Sequence, residues 1–359
     1  MKSQDKSNLL KLFLELVHIN SPTGQEKIIS DYIFSYLVRL GLNPKVSTNN
    51  NVFVKTNGVG EPIFLSAHMD TVQPGLEIRT LMKKDTIKSI GNTILGADNK
   101  STISVFLTLV VNILKDDVQH RPLEILFTVD EESRNTGAKK FDISGLRSRK
   151  GIISDISAPI GTIVLASPAY IRFDIEILGK SYHAAFPDMA RNVLPAISKI
   201  IDSKFIGKLD KDSILNIGIL SSGSSRNTIP GSSIIQGEIR SFREDLLEKH
   251  LSMFLNFVKS EAGKFGVKIK IKHEIDNPAY VFDRNDKFIA KIAKTMQEIS
   301  IKPAYIKSWS CSDANIFNSE KLQVINIGDG TNFTHTTKEN IDLKDMMKLY
   351  DFFYKIVTS

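Results

Sequence analysis

Two histidines and a series of carboxylates stand where apolar runs give way to polar segments, and their types suit a divalent cation held beside a group that moves protons. His68 closes the run Phe64-Leu65-Ser66-Ala67, and Asp70 follows two residues on. In an extended segment that spacing puts both side chains on one face, where the carboxylate can accept from one imidazole nitrogen and direct the other outward. Asp98, in Gly96-Ala97-Asp98-Asn99-Lys100, precedes an apolar helix and is either its cap or a ligand. Asp130-Glu131-Glu132 sets three acids in succession after the run 123–129, a crowding that costs free energy unless a cation is present. Asp155 ends Gly151-Ile152-Ile153-Ser154, and His335 follows the apolar residues 324–327 through Gly328-Asp329-Gly330.

Two imidazoles with carboxylates from several strand ends suit two divalent ions roughly 3.5–4 Å apart, sharing a carboxylate and a water. Zinc is the first expectation, and nitrogen and oxygen donors without thiolate also admit manganese or cobalt. Such a pair acidifies its water and polarises a carbonyl, while one more carboxylate accepts the water's proton. The adjacent Glu131 and Glu132 can divide those tasks between ligand and base. The other histidines are ordinary: His18 on an amphipathic helix, His120 in a polar turn, His250 on a charged helix and His273 on an exposed strand.

The elements that position these groups follow from periodicity. Leu9, Leu10, Phe13, Leu16 and Val17 recur at helical spacing, as do Ile28, Ile29, Tyr32, Ile33, Tyr36 and Leu37 after the turn at 21–24. Short apolar runs at 63–65, 123–129, 152–153, 163–165 and 322–327 read as buried strands, with a buried helix over 101–114 between the first two. That order predicts an α/β domain with a mostly parallel sheet and helices on both faces. At Ile171, Phe173, Ile175 and Ile177 the pattern turns to strict alternation. A helix over 190–201, strands at 215–220 and 234–240, a helix over 245–265 and a strand at 267–273 follow. This β-α-β-β-α-β order predicts a small α+β, ferredoxin-like lid inserted at 168–277 between the two parts of the catalytic domain, 1–167 and 278–359. Helices over 286–299 and 343–357 return to the first domain.

Length and composition set bounds on all of this. A chain of 359 residues suggests about two domains, and 42% hydrophobic with 24% charged residues excludes disordered and collagen-like classes. Net charge is +7, but the densest basic cluster is Arg147, Arg149 and Lys150, so no nucleic-acid partner is expected. The single Cys311 excludes an intrachain disulfide, the first residues show no leader-like apolar segment, and the stretch 105–114 is too short to span a bilayer. A cytoplasmic protein without membrane contact is expected.

The strings Ser66-Ala67-His68-Met69-Asp70-Thr71-Val72, Leu95-Gly96-Ala97-Asp98, Asp130-Glu131-Glu132, Ser312-Asp313-Ala314-Asn315 and His335-Thr336-Thr337 resemble, in order and spacing, the dinuclear zinc peptidase superfamily that includes peptidase T, carboxypeptidase G and aminoacylase. Phe127 to Glu132 and Gly137 to Asp142 are most similar to the peptidase T-like subgroup. The resemblance implies one metal held by His68, Asp98 and Asp155 and a second by Asp98, Glu132 and His335, with Asp98 bridging. It also implies that Asp70 orients His68 and that Glu131 is the general base and acid. In the lid, Gly179-Lys180-Ser181-Tyr182-His183-Ala184 resembles the turn from which a histidine reaches a substrate carbonyl, often across a dimer. Asn227 and Arg240 resemble positions that bind substrate polar groups, although Arg240 can instead pair with Glu238 or Glu244.

The chain departs from the pattern at Asn99, where a second Asp is usual, at Ser133-Arg134, where Gly is usual, and at Ile156 and Ser157, where glycines are usual. The implied activity is a metal-dependent exopeptidase on short peptides, a peptidase T-like aminopeptidase acting on tripeptides first, and a homodimer through the lid. An N-acyl amino acid deacylase or a carboxypeptidase of the same superfamily is the alternative, and outside enzymes a peptide-binding relative without catalysis.

Overall fold

The apolar runs 63–65 and 123–129 become the strands Ile63–His68 and Leu123–Thr128, buried along their whole length. Strands covered on both faces read as continuous apolar segments, and these two pair in parallel. The computed structural model describes residues 3–116 and 118–359, which form two units: the residues up to Leu165 with Phe282–Ser359, and Ala166–Val281.

In the first unit, Leu123–Thr128, Ile63–His68, Lys150–Ser154 and Gln323–Ile327 lie side by side in parallel at the centre of the sheet. Val52–Lys55 on one side and Thr162–Ser167 on the other add antiparallel edges. The helix Ala97–Lys115 is buried over nearly its whole length because it lies between the sheet and the helices Ser3–Val17 and Leu343–Val357. Phe106 meets Phe353 edge-on at 4.9 Å, an arrangement favoured by the ring quadrupoles. The helix Leu343–Val357 buries Leu343, Met346, Leu349, Tyr350 and Phe353 on one stripe, so its 3.6-residue period decides which face meets the core.

Register makes the site possible. His68 lies opposite Thr128, and Ile327 opposite Ser154. The carboxyl ends of the four central strands therefore share one edge of the sheet, the place where open α/β sheets form their ligand crevice. A four-stranded antiparallel sheet, built from Arg79–Lys83, Thr86–Ile90, Asn340–Asp342 and Thr331–Asn332, was not foreseen from the sequence. Arg79–Lys83 is exposed along nearly its whole length, and the strands from 331 to 342 are only two and three residues long, so little hydrophobic pattern marks them.

The second unit is an antiparallel sheet ordered Gly207–Lys208, Ser213–Ser222, Ser232–Ser241, Ala169–Leu178, Lys268–Asn277. Ile171, Phe173, Ile175 and Ile177 point to a core shared with the helices Leu194–Ile201 and Glu244–Lys264, where Phe173 packs on Phe254 with ring centroids 5.3 Å apart. The first of those helices starts at Leu194, later than the expected 190. Arg191 exchanges backbone hydrogen bonds with Lys180, and the Asn192 side chain accepts the Leu194 N–H at 3.0 Å, so the preceding backbone is already engaged. The chain passes between units after Leu165 and before Phe282, and within the second unit Ser167 pairs with Tyr280 and Ala166 with Val281. Among the described residues no helix is long and apolar enough to cross a membrane.

Candidate active site

His68 is buried at the end of its strand, and each ring nitrogen has a distinct neighbour. Nδ1 lies 3.0 Å from the Asp70 carbonyl oxygen and 3.3 Å from its Oδ1, while Nε2 lies 3.1 Å from Asp98 Oδ1 and 3.3 Å from Asp155 Oδ1. Two acceptors on the Nδ1 side keep the hydrogen there, so the Nε2 lone pair of the neutral ring is aimed at the acids. Asp70 does more than orient this ring. Its Oδ1 accepts the Glu131 N–H at 3.0 Å, and its Oδ2 accepts the Glu132 N–H at 3.1 Å and the Thr23 hydroxyl at 2.9 Å. It thus satisfies two amides that the first turn of the short helix Glu131–Arg134 leaves without partners.

The Asp98 carboxylate faces two imidazoles. Oδ1 is 3.1 Å from His68 Nε2, and Oδ2 is 3.4 Å from His335 Nε2. The loop that carries it is held by Glu339, a buried acid that no local pattern in the sequence marks. Its two oxygens accept the N–H groups of Leu95 at 2.8 Å, Gly96 at 2.9 Å and Asp98 at 3.1 Å. The available signal was an acid four residues past His335.

The three consecutive acids take three directions. Asp130, in a left-handed conformation, turns its carboxylate to the hydroxyls of Ser133 and Thr136 at 2.7 and 2.6 Å. Glu132 meets His335 Nε2 at 3.0 Å. Glu131 accepts from the Asn135 side chain at 3.1 Å, and it stands with His68 and Asp155 in one group whose candidate ligand atoms lie within 4.8 Å of one another. Asp155 receives the Asn99 amide on Oδ1 at 2.6 Å, so the unusual Asn99 acts here as a donor to an acid. Arg134 lies exposed at the end of the short helix, and the Ile156 carbonyl accepts the Asp329 N–H at 3.1 Å.

So many carboxylates cannot all carry charge without compensation. Burial, with the charge of Asp155 added, pushes the Glu131 carboxyl well above the usual range. Burial likewise pushes Glu132 up to about 7, despite its bond to His335. Hydrogen bonds to Asp98 and Glu132 push His335 up to about 10. His68 rises well above its ordinary value although burial opposes it, because Asp155 lies beside it. Asp98, also against its burial, is held low by His335 and His68. Positive charge is therefore drawn to the two nitrogens that flank Asp98, and divalent cations at the same nitrogens would meet that demand more fully. The candidate ligand atoms fall into two groups, His68 with Glu131 and Asp155 and His68 with Asp98 and Glu132, which share His68; their donors, imidazole nitrogen and carboxylate oxygens without thiolate, suit divalent cations.

Within the second unit, His183 is exposed on the short strand Tyr182–His183, paired to Thr228–Ile229. The Asn227 carbonyl accepts the Ala184 N–H at 2.9 Å, so these two expected substrate residues are neighbours. Arg240 follows the other possibility raised by its surroundings. Nε and Nη2 bond Glu238 at 3.0 and 3.2 Å, and the guanidinium lies 4.7 Å over the Tyr170 ring.

The chain is similar to several known proteins. Residues 64–359 match the model of peptidase family M20/M25/M40. A solved tripeptidase of Staphylococcus aureus superposes with a TM-score of 0.93 and 28% identity, covering 98% of each chain. The aminopeptidase PepT of Bacillus cereus superposes with a TM-score of 0.89 and 25% identity, again over 98% of each. The uncharacterized protein YqjE of Bacillus subtilis is 25% identical over 98% of both chains.

Proposed function

The chain belongs to peptidase family M20/M25/M40, within the dinuclear zinc exopeptidase superfamily of peptidase T, carboxypeptidase G and aminoacylase, and is a hydrolase of peptide bonds; from that premise we propose that it is an aminopeptidase releasing the first residue of short peptides, tripeptides foremost. Full-length likeness to a tripeptidase and to an aminopeptidase supports this choice of substrate. One observation carries the chemistry: the Asp98 carboxylate stands between His68 and His335 with one oxygen toward each.

His68, Asp98 and Asp155 would hold one cation, and Asp98, Glu132 and His335 the other, zinc being the first choice among zinc, manganese and cobalt. When bound, such a pair polarises the scissile carbonyl and makes water acidic near neutral pH. The remaining work belongs to the chain. Glu131, with Oε1 engaged by Asn135, takes the attacking water's proton on Oε2 and returns it to the leaving amine. Its high proton affinity suits a group that must act as base and then as acid. Asp70 keeps His68 and the Glu131–Glu132 turn in a fixed relation. His183 is assigned to a substrate carbonyl, and Asn227 and Arg240 to substrate polar groups. A peptide carboxylate would have to replace Glu238 on the Arg240 fork.

We place the protein in the cytoplasm, a reducing compartment in keeping with its single cysteine, as a homodimer through the second unit. The test is hydrolysis of free-amino tripeptides beside their N-acetylated counterparts, by zinc- or manganese-loaded protein and a chelated control. Chelator-sensitive release of the first residue from free peptides alone is expected. Release only from blocked substrates would replace this reading with a deacylase or carboxypeptidase, and tight binding of peptides without turnover would replace it with a non-catalytic relative.

A further inference from the structure

Behind Glu131 lies a polar chain that the proposed chemistry does not yet use. The Asn135 side-chain nitrogen donates to Glu131 Oε1 at 3.1 Å and to Asp313 Oδ1 at 3.0 Å. Asp313 Oδ2 in turn accepts the Thr128 hydroxyl at 2.6 Å. Both neighbours of the amide are carboxylate oxygens, so its nitrogen must be the atom between them, and each hydrogen serves one acid.

Every member is fixed independently. Thr128 ends the strand that delivers Asp130, Glu131 and Glu132. Asp313 opens the helix Asp313–Ser319, which is anchored by a capping box between Ser312 and Asn315. Asn135 has a backbone φ of 52°, a left-handed conformation that asparagine tolerates better than most residues. Asn135 and Asp313 are 6% and 3% exposed, so neither bond competes with bulk water.

We propose that Asn135, itself aligned by Asp313 and Thr128, is a positioning residue that locks the Glu131 side chain with Oε1 occupied and Oε2 presented to the reacting water. The inference rests on the reading of Glu131 as the base. Without the amide, Glu131 keeps its chemistry but loses a fixed orientation, and misplacement of about 1 Å can cost on the order of 100-fold in rate.

Asn135→Gly is the variant of choice, because it removes the amide while glycine accepts the left-handed backbone without strain. Relative to wild type, kcat on a free tripeptide falls about 10- to 100-fold. KM and zinc content by elemental analysis stay close to wild type, while the thermal midpoint falls by a few degrees because the buried Asp313 Oδ1 loses its donor. Asp313 supplies an independent arm. Asp313→Asn keeps a carbonyl oxygen for Asn135 and turns its new NH2 toward the Thr128 hydroxyl, which can accept, so most of the rate survives; Asp313→Ala removes the acceptor and loses rate as Asn135→Gly does. Wild-type kcat in Asn135→Gly, or equal losses in Asp313→Asn and Asp313→Ala, would overturn the inference. Glu131→Gln separates the two levels. If it keeps wild-type turnover, the base assignment itself fails; if it is inactive while Asn135→Gly is unimpaired, only the positioning role fails.

Discussion

The backbone N–H of Glu131 donates to Asp70 Oδ1 at 3.0 Å, and the same carboxylate oxygen lies 3.3 Å from His68 Nδ1. One buried acid therefore ties a proposed ligand on one strand to the proposed base after the neighbouring strand.

Asp70→Asn tests that coupling. An amide has one acceptor oxygen where the carboxylate has two, so it must set a donor against His68 Nδ1 or against a backbone N–H of the Glu131–Glu132 turn. Both proton transfer and ligand orientation suffer. Zinc affinity should fall about 10- to 100-fold, the usual range for removing the partner of a ligating histidine, with a parallel fall in kcat. Equilibrium dialysis and steady-state kinetics on one preparation measure the two effects.

Glu339→Gln applies the same logic to the Asp98 loop. Three N–H groups converge on the Glu339 carboxylate, and glutamine replaces one of its oxygens with a donor. At least one buried amide is left unsatisfied, a loss of about 1–3 kcal/mol. Urea unfolding of the metal-stripped variant should show that loss, and the zinc-loaded variant should hold less metal than wild type.

Metal-stripped protein should lose stability as pH rises from about 4.5 to 7. The folded-state values of Glu132, about 7, and His335, about 10, both exceed their ordinary values of 4.5 and 6.5. The native state thus binds more protons than the unfolded chain, and stability falls with pH wherever that holds. Glu132 contributes fully below its ordinary value and loses its share by about pH 7; His335 contributes fully below 6.5 and loses its share as pH passes about 10. Above neutral pH buried Lys100, held down to about 7 from 10.5, acts in the opposite sense to His335 and offsets its share, so the decline falls between about 4.5 and 7, and zinc at Glu132 should remove it. Thermal unfolding from pH 5 to 7.5, with chelator and with zinc, measures the difference. A chelated protein with a flat or rising profile over that interval would contradict the assignment.

Arg240→Ala addresses the second unit. If its guanidinium takes the peptide carboxylate, KM for free tripeptides should rise about tenfold while C-terminally amidated analogues change little, because only the former lose a charge-assisted fork. Equal effects on both would leave Arg240 as the partner of Glu238 and the cover of Tyr170.

What was readable in the sequence follows a physical divide. Ile63–His68 and Leu123–Thr128 could be found because strands buried on both faces are apolar throughout, and Ile171 to Ile177 because one solvated face enforces alternation. His68, Asp98, Glu132, Asp155 and His335 could be singled out because they stand at a strand end, in the first turn of a helix or in the loop that follows a strand, and the fold brings them together. The hairpin Arg79–Lys83 with Thr86–Ile90 escaped because Arg79–Lys83 is exposed along nearly its whole length, so no buried face enforces alternation. Glu339 and Asn135 escaped for a different reason. Their roles are hydrogen bonds to Leu95 and to Asp313, partners 244 and 178 residues away in sequence, and no local pattern records such a distance.

The arrangement around Asp98 is tested most directly by diffraction from zinc-soaked crystals at the zinc absorption edge. Two anomalous peaks are predicted, roughly 3.5–4 Å apart, one beside His68 and Asp155 and the other beside Glu132 and His335, with Asp98 between them. A single peak, or two peaks of which neither touches Asp98, would contradict the account.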